Sequence, residues 1–173
     1  MKRYYFGHTL VEVLASAVIL GIVTSVTLPN LSRFLAQSRL DNSITKIIKS
    51  LHLARGYAVS HATNITVCPL ISGSCTDHWQ NAIYIFEDGN SNLSLDENEY
   101  IIKVIAKIHK NDELDYPRTA ITYRADGSIN FMQSGSFLYC NQIFTDLTGN
   151  QITVSQVGRV RIKDSDKCKI PTL

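Results

Sequence analysis

The sequence predicts an α+β fold: a long N-terminal helix packed on a mostly antiparallel β-sheet domain. Three observations predict it. An uncharged apolar run from Val13 to Leu28 leads into a stretch where apolar residues recur at three- and four-residue steps as far as Ala58. Beyond that point the chain holds only short β-branched or alternating runs separated by glycine and polar turns, and helix first followed by strands alone points to segregated layers with an antiparallel sheet. All four cysteines lie in this second part.

The first stretch opens with a short basic segment, Lys2 and Arg3, that ends in Gly7. From His8 to Ser32, a window of 25 residues, Glu12 is the sole charged side chain; a helix needs about 20 apolar residues to cross a bilayer. A carboxylate in such a helix costs about 2.5–3.5 kcal/mol on insertion scales, which marks Glu12 as a residue with a task. A conventional secretory signal requires a small-residue cleavage site after its apolar core, and Pro29-Asn30-Leu31 stands there instead. A plain one-pass anchor has no use for Glu12. Basic leader, glycine, Thr9-Leu10-Val11-Glu12 and apolar helix together resemble a type III (prepilin) signal. The resemblance implies that a prepilin peptidase cuts between Gly7 and His8 and methylates the new terminus. It implies that Glu12, fifth in the mature chain, docks the subunit into a filament. It also accounts for Pro29, twenty-second when counted from His8, where the family carries a proline. The first mature residue is His8, where the family usually has Phe or Met. Cytoplasmic basic residues would leave the rest of the chain on the exported side of a bacterial inner membrane.

Pro29 is the expected break in the helix, since proline removes one backbone hydrogen bond and clashes with the preceding turn. Helical periodicity then resumes through Leu31, Phe34 and Leu35, and through Ile44, Ile47, Ile48, Leu51, Ala54 and Ala58, with Lys46, Lys49, Ser50 and Arg55 on the other face. That apolar stripe needs a sheet to cover it. The helix is expected to end between Ser60 and Thr63. The resulting organisation is a leader at 1–7, a membrane and filament-core half-helix at 8–29, an amphipathic half-helix at 30–62 and a β-rich head at 63–173.

In the head, Asn64–Cys68 reads as a strand stopped by Pro69, and Ile71–Asp77 as a Ser- and Gly-rich loop. Ala82–Phe86 and Tyr100–Ile105 read as a hairpin around a long polar loop. Further strands are expected at Ala120–Tyr123, Ile129–Met132, Ser136–Cys140, Gln151–Ser155 and Arg159–Ile162. Cys68, Cys75, Cys140 and Cys168 allow three pairings in an oxidising compartment. The favoured set is Cys68–Cys75, closing a short loop, with Cys140–Cys168 tying down the C-terminal tail. A metal site at Cys68, Cys75 and His78 is the rival reading, but the spacing is not that of a zinc knuckle or finger.

Four pieces together are similar to the minor pilins and pseudopilins of the GspH/FimT family. They are the prepilin-like N-terminus; Leu53-Ala54-Arg55-Gly56-Tyr57-Ala58 with the Val67-Cys68 strand after it; Trp79 and Ile85-Phe86-Glu87-Asp88 with an Asn-rich tip; and Val154-Ser155 with Gly158-Arg159-Val160-Arg161. The resemblance is greatest to members of the FimT type and implies a type IV pilin-like fold. It also implies a minor pilin in or at the tip of a pilus, with major and minor pilins, prepilin peptidase and the inner membrane as partners.

In a strand Arg159 and Arg161 share a face, and each guanidinium can fork onto a phosphate. Lys163, Lys167 and Lys169 follow, so positions 151–173 carry five basic residues against Asp164 and Asp166, a net of +3. The whole chain is only +2, so attraction to nucleic acid has to come from this cluster. The resemblance implies that these five residues touch the backbone of double-stranded DNA, without sequence preference, for uptake in natural transformation. It also allows a minor pilin that primes assembly without DNA, and a type II secretion minor pseudopilin. Asp88, Asn90, Asn92, Ser94, Asp96 and Glu99 match the ligand positions of a calcium-binding EF-hand loop, but the sixth position, normally glycine, is Leu93 and no second helix is expected. No metal or other cofactor is therefore expected. The five histidines and the serines form no nucleophile–base arrangement, so no enzymatic activity is expected.

Overall fold

The computed structural model describes residues 9–144, 147, 149–165 and 168, and for 26–30 the helical backbone only. Helix α1 runs over Leu10–His61. It is followed by strands β1 (Ile65–Ile71), β2 (Ser74–Cys75), β3 (Ile83–Glu87), β4 (Ile101–Ile105), β5 (Asp112–Asp115), β6 (Ile121–Tyr123), β7 (Gly135–Asn141), β8 (Gly149–Val154) and β9 (Val160–Ser165). The fold is α+β, and every strand pair is antiparallel. The strands form two sheets where one was expected. One is ordered β2-β1-β3-β4, with β6 also on β1, and the other β5-β7-β8-β9.

The chain divides into two compact units, Met1–Gln37 and Ser38–Leu173. In the first, Thr9 starts the helix: its carbonyl accepts the Glu12 and Val13 amides at 3.1 and 3.3 Å, and its hydroxyl accepts the Glu12 amide at 3.3 Å. Helical backbone continues through Pro29, so the expected break there is not one. A proline inside a helix deletes one hydrogen bond while the turns on either side keep theirs. The apolar side chains from Leu10 to Val23 are more than half exposed. Among the described residues no helix is long and apolar enough to cross a membrane. The expected span at 8–29 includes His8 and the side chains of 26–29, which lie outside the described residues.

In the second unit the helical stripe Leu40, Ile44, Ile47, Leu51, Ala54 and Ala58 is buried in one cluster with Ile65, Val67, Ile83 and Ile85 of the first sheet and Phe137, Tyr139, Ile152 and Val154 of the second. One helix face therefore covers both sheets, which is why strands of such different composition share a core. Ser50, placed on the polar face by the sequence, is buried instead; it lies three residues after Ile47 and falls beside the stripe. Trp79 packs edge-on to Tyr116 and Phe137 and donates its indole N–H to the Arg118 carbonyl at 2.7 Å.

Three local expectations need correction. Pro69 does not stop β1, which continues to Ile71. The Pro69 carbonyl accepts the Thr76 amide, so its donorless nitrogen points the same way, beyond Val67 where the pairing with β6 ends. Ser72 and Gly73, both at positive φ, then turn the chain into the short β2. Ile129–Met132 is not a strand: Ile129 makes one bridge to Tyr123, and Met132 has φ 62°. Conversely, β5 was not anticipated in the acidic run Asp112-Glu113-Leu114-Asp115.

Strand β5 is held by a buried carboxylate. Asp112 accepts Arg39 Nε at 2.9 Å and Nη2 at 3.2 Å, Asn141 Nδ2 at 2.7 Å and the Tyr139 hydroxyl at 3.3 Å. The hydrogen bond to Asp112 raises the Arg39 pKa above its ordinary value. Replacing Arg39 by Ala leaves that carboxylate short of its countercharge. The head should lose about 3 kcal/mol, the low end for a broken buried pair because Arg39 is partly exposed, read as a lower urea midpoint at unchanged slope. Burial, first of all, pushes the Tyr139 hydroxyl up to about 12 and raises Tyr116 and Tyr123 in the same direction. A raised acid pKa means the folded state holds its proton longer. Stability should thus be unaffected below about pH 10, the ordinary tyrosine value, and fall as pH rises through 12, followed by tyrosinate absorbance and circular dichroism together.

Candidate nucleic-acid interface

The site is built on the outer edge of the second sheet. Among the described residues β9 pairs on one side alone, with β8, in the register Val160 opposite Val154, Arg161 opposite Thr153, Ile162 opposite Ile152 and Lys163 opposite Gln151. Ile152 and Val154 are buried, so Val160 and Ile162 share the core-facing side, and Arg161 and Lys163 share the outer one. Arg159 lies one residue before β9 but continues the ladder: its carbonyl accepts the Ser155 amide at 3.0 Å and its amide donates to Ser155 Oγ at 3.1 Å. Arg159, Arg161 and Lys163 are exposed, and none makes an ion pair among the described residues. Alternation turns Asp164, the nearest acid in sequence, to the opposite side. Three cations thus stand in a row of about 13 Å, four strand steps of about 3.3 Å.

The turn before β9 is fixed from the helix. Arg55 donates from Nε to the Gly127 carbonyl at 2.9 Å and from Nη2 to the Val157 carbonyl at 3.2 Å. Gly158 has φ 73°, and a Cβ there would collide with the Gly127 carbonyl oxygen. Gln156 adds a second tie, donating from Nε2 to the Ile129 carbonyl at 2.6 Å while its own carbonyl accepts the Ile129 amide at 3.0 Å. The neighbouring turn carries exposed Arg124 beside Asp126, whose carboxyl is held below its ordinary value by the Ser128 hydroxyl and amide. The glycine of Gly158-Arg159-Val160-Arg161 is thus a packing requirement, and Arg55 is its partner. The sequence reading grouped both in motifs without linking them; nothing local joins residues 55, 127 and 158, which meet through tertiary contact alone.

Disulfides join Cys68 to Cys75 and Cys140 to Cys168. Cys168 lies against Gly149, which pairs with Ser165, so the second bridge anchors the tail at the far end of β9 from Arg159. Lys167 and Lys169 lie outside the described residues, as do Gly7 and His8. Glu12 is exposed in the first turn of α1. Thr9-Leu10-Val11-Glu12 also has the spacing of a helix capping box, a signal the sequence reading passed over, so this tetrapeptide starts the helix whatever else Glu12 does.

The calcium-like loop satisfies itself. Asp88 is buried and accepts the Thr66 hydroxyl at 2.7 Å and the Asn92 and Leu93 amides at 3.0 and 3.3 Å. Asp96 accepts Asn90 Nδ2 and Asn92 Nδ2, both at 3.0 Å, and its amide donates to Glu99. Leu93 takes the left-handed φ of 60° that glycine takes in an EF-hand, and packs with Leu95 over Cys68 and Phe86. Among the described residues no group of three or more His, Cys, Asp or Glu side chains is placed to hold a metal ion.

A long helix whose C-terminal part packs on two antiparallel sheets is the architecture of type IV pilin-like proteins. The family model described as Type II transport protein GspH matches residues 43–158, and the chain belongs to that family. The fold is similar to the type IV minor pilin FimU of Pseudomonas aeruginosa, with TM-score 0.61 and 19% identity over 78% of this chain and 98% of that one. A second crystal form of FimU gives TM-score 0.58 and 19% identity over 75% and 99%. It is also similar to the minor pseudopilin EpsH of the Vibrio cholerae Type 2 Secretion System, with TM-score 0.53 and 10% identity over 73% and 97%. No curated protein sequence matches the chain.

Replacing Gly158 by Ala should destabilise the head by more than the ~1–2 kcal/mol that a left-handed non-glycine residue costs, because the Gly127 carbonyl must also move. Arg55→Ala should lower the melting temperature as well. If Gly158→Ala melts like the native chain, the packing account of this glycine is wrong.

Proposed function

We propose that this chain is a minor type IV pilin of the FimT type that holds DNA by its phosphate backbone during uptake in natural transformation. The observation that carries the reading is the row Arg159, Arg161 and Lys163: exposed, without ion-pair partners among the described residues, and turned away from Asp164 on an edge strand. Guanidinium and ammonium groups so placed bind phosphates without reading bases. Lys167 and Lys169 belong to the same proposal. In this reading a prepilin peptidase cuts after Gly7 and methylates His8, and residues 8–29 hold the subunit in the inner membrane with the head in the periplasm. Glu12 docks it among other pilins, and it ends in the pilus, at the tip. A second reading, a minor pseudopilin of type II secretion, is favoured by the description of the matching family and by the likeness to EpsH.

The test uses the full chain in a non-ionic detergent, titrated with duplex DNA over about 50–200 mM salt, where phosphate binding weakens steeply. Binding is expected in the range of about 10⁻⁴–10⁻⁶ M. The double variant Arg159→Gln, Arg161→Gln should weaken it and reduce the salt slope by about 2, one for each lost phosphate contact. Absence of binding at the lowest salt, or a double variant that binds like the native chain, rejects the DNA reading and leaves a minor pilin that primes assembly without DNA or the pseudopilin.

A further inference from the structure

The turn beside the cationic row presents an aromatic ring to solvent. Phe131 is 85% exposed, more than any other large apolar side chain among the described residues, and Met132 next to it is 65% exposed. Their backbone is nonetheless tightly tied. The Asn130 amide donates to the Thr122 carbonyl at 2.9 Å, Gln133 Oε1 accepts the Thr122 amide at 2.7 Å, and the Tyr116 hydroxyl donates to the Gln133 carbonyl at 2.6 Å. Met132 is held at φ 62°, a conformation that non-glycine residues avoid unless their surroundings impose it. These bonds pin the chain on either side of Phe131 and Met132, so both side chains stand on an anchored turn in solvent.

The same turn is tied to the cationic edge. Gln156, inside the Ser155–Arg159 turn, donates from Nε2 to the Asn130 carbonyl at 3.2 Å as well as to that of Ile129. An exposed ring on a turn bonded to the one that leads into a cationic row matches the combination by which proteins hold single strands: the cations follow the backbone and the ring stacks on a base. In a duplex the base faces are already stacked on one another, and the ring has no partner. We infer that Phe131 is a nucleobase-stacking residue and that the site takes single-stranded DNA in preference to duplex. The inference rests on the DNA reading above and adds the class of strand.

The experiment compares a single strand of about 16 nucleotides, the upper end of one such site, with a duplex of the same length, using the full chain in non-ionic detergent. The native chain should bind the single strand more tightly than the duplex. Phe131→Ala should weaken single-strand binding about fivefold or more, the low end for removing a base–aromatic stack, and leave duplex binding unchanged. Phe131→Leu, apolar but without a ring face, should behave like the Ala variant. Phe131→Trp should bind like the native chain, with an emission quenched by the single strand. Unchanged melting temperatures in the Ala and Leu variants establish that the exposed side chain was not needed for folding. Single-strand binding unchanged in Phe131→Ala, while the Arg159 and Arg161 double variant still loses affinity, overturns this inference and leaves the DNA reading standing. A Leu variant that binds like the native chain overturns it as well. So does a Phe131→Ala chain that binds the single strand normally but fails to assemble with other pilins, which would assign the ring to a protein partner. A native chain that binds neither form of DNA overturns both readings.

Discussion

One guanidinium, that of Arg55, decides how the end of this head that carries the cationic row is arranged. It sits on the last turns of the helix and bonds the carbonyls of two turns, one from each side of the molecule's β structure. Because both acceptors belong to turns with glycine at positive φ, the two turns can approach until the Gly158 Cα meets the Gly127 carbonyl. The strand that follows, with its row of cations, then has one place to begin. Sixteen residues earlier on the same helix, about 24 Å at 1.5 Å per residue, Arg39 ties down the buried Asp112 of β5. Between these two polar anchors lies the apolar stripe from Leu40 to Ala54, and Ala58 extends it one turn further. Burial supplies most of the stabilisation and is non-directional; the two arginines tie β5 and the turns at Gly127 and Val157 to set positions along the helix.

This division explains what was legible in the sequence. The helix, its end near His61 and the stripe Ile44, Ile47, Leu51, Ala54 and Ala58 follow from periodicity alone, because a helix fixes which residues share a face. The apolar strands and the turn glycines were legible for the same reason. β5 was not, since Asp112-Glu113-Leu114-Asp115 has poor strand propensity and exists as a strand because Arg39 supplies a countercharge to its buried carboxylate and Asn141 and Tyr139 hydrogen-bond it. Ile129–Met132 erred in the opposite direction: the residues suit a strand, but Gln133, Gln156 and Tyr116 capture the backbone as a turn. Ser50 and Pro69 are smaller cases in which position within the packing outweighed residue type. At the candidate site Arg159, Arg161 and Lys163 could be read from spacing. The link from Arg55 to the Gly158 turn could not, because no local pattern encodes a contact such as that of Arg55 with Val157, 102 positions apart.

The cations on β9 have a second consequence. An edge strand offers unpaired backbone groups to any passing strand, and charged side chains along it discourage that pairing. Arg161 and Lys163 serve this purpose whether or not they hold DNA. Ile162, half exposed on the other side of the same strand, is the kind of residue such protection is needed for. Edge protection requires only charge, however, and is indifferent to sign. A phosphate-binding row requires positive charge on one side and acids kept off it, which is the arrangement of Arg159, Arg161, Lys163 and Asp164.

The central claim of the proposal is that DNA is held on this edge of the head. The direct measurement is a residue-resolved amide shift map of isotope-labelled full chain in non-ionic detergent, titrated with a short oligonucleotide at low salt. The account predicts saturable shifts concentrated from Gly158 to Lys163 and on the adjoining turns near Arg124 and Phe131, with the β4 strand from Ile101 to Ile105 unmoved. Shifts centred on β4 and its neighbouring lysines, or spread evenly over the surface, would contradict it.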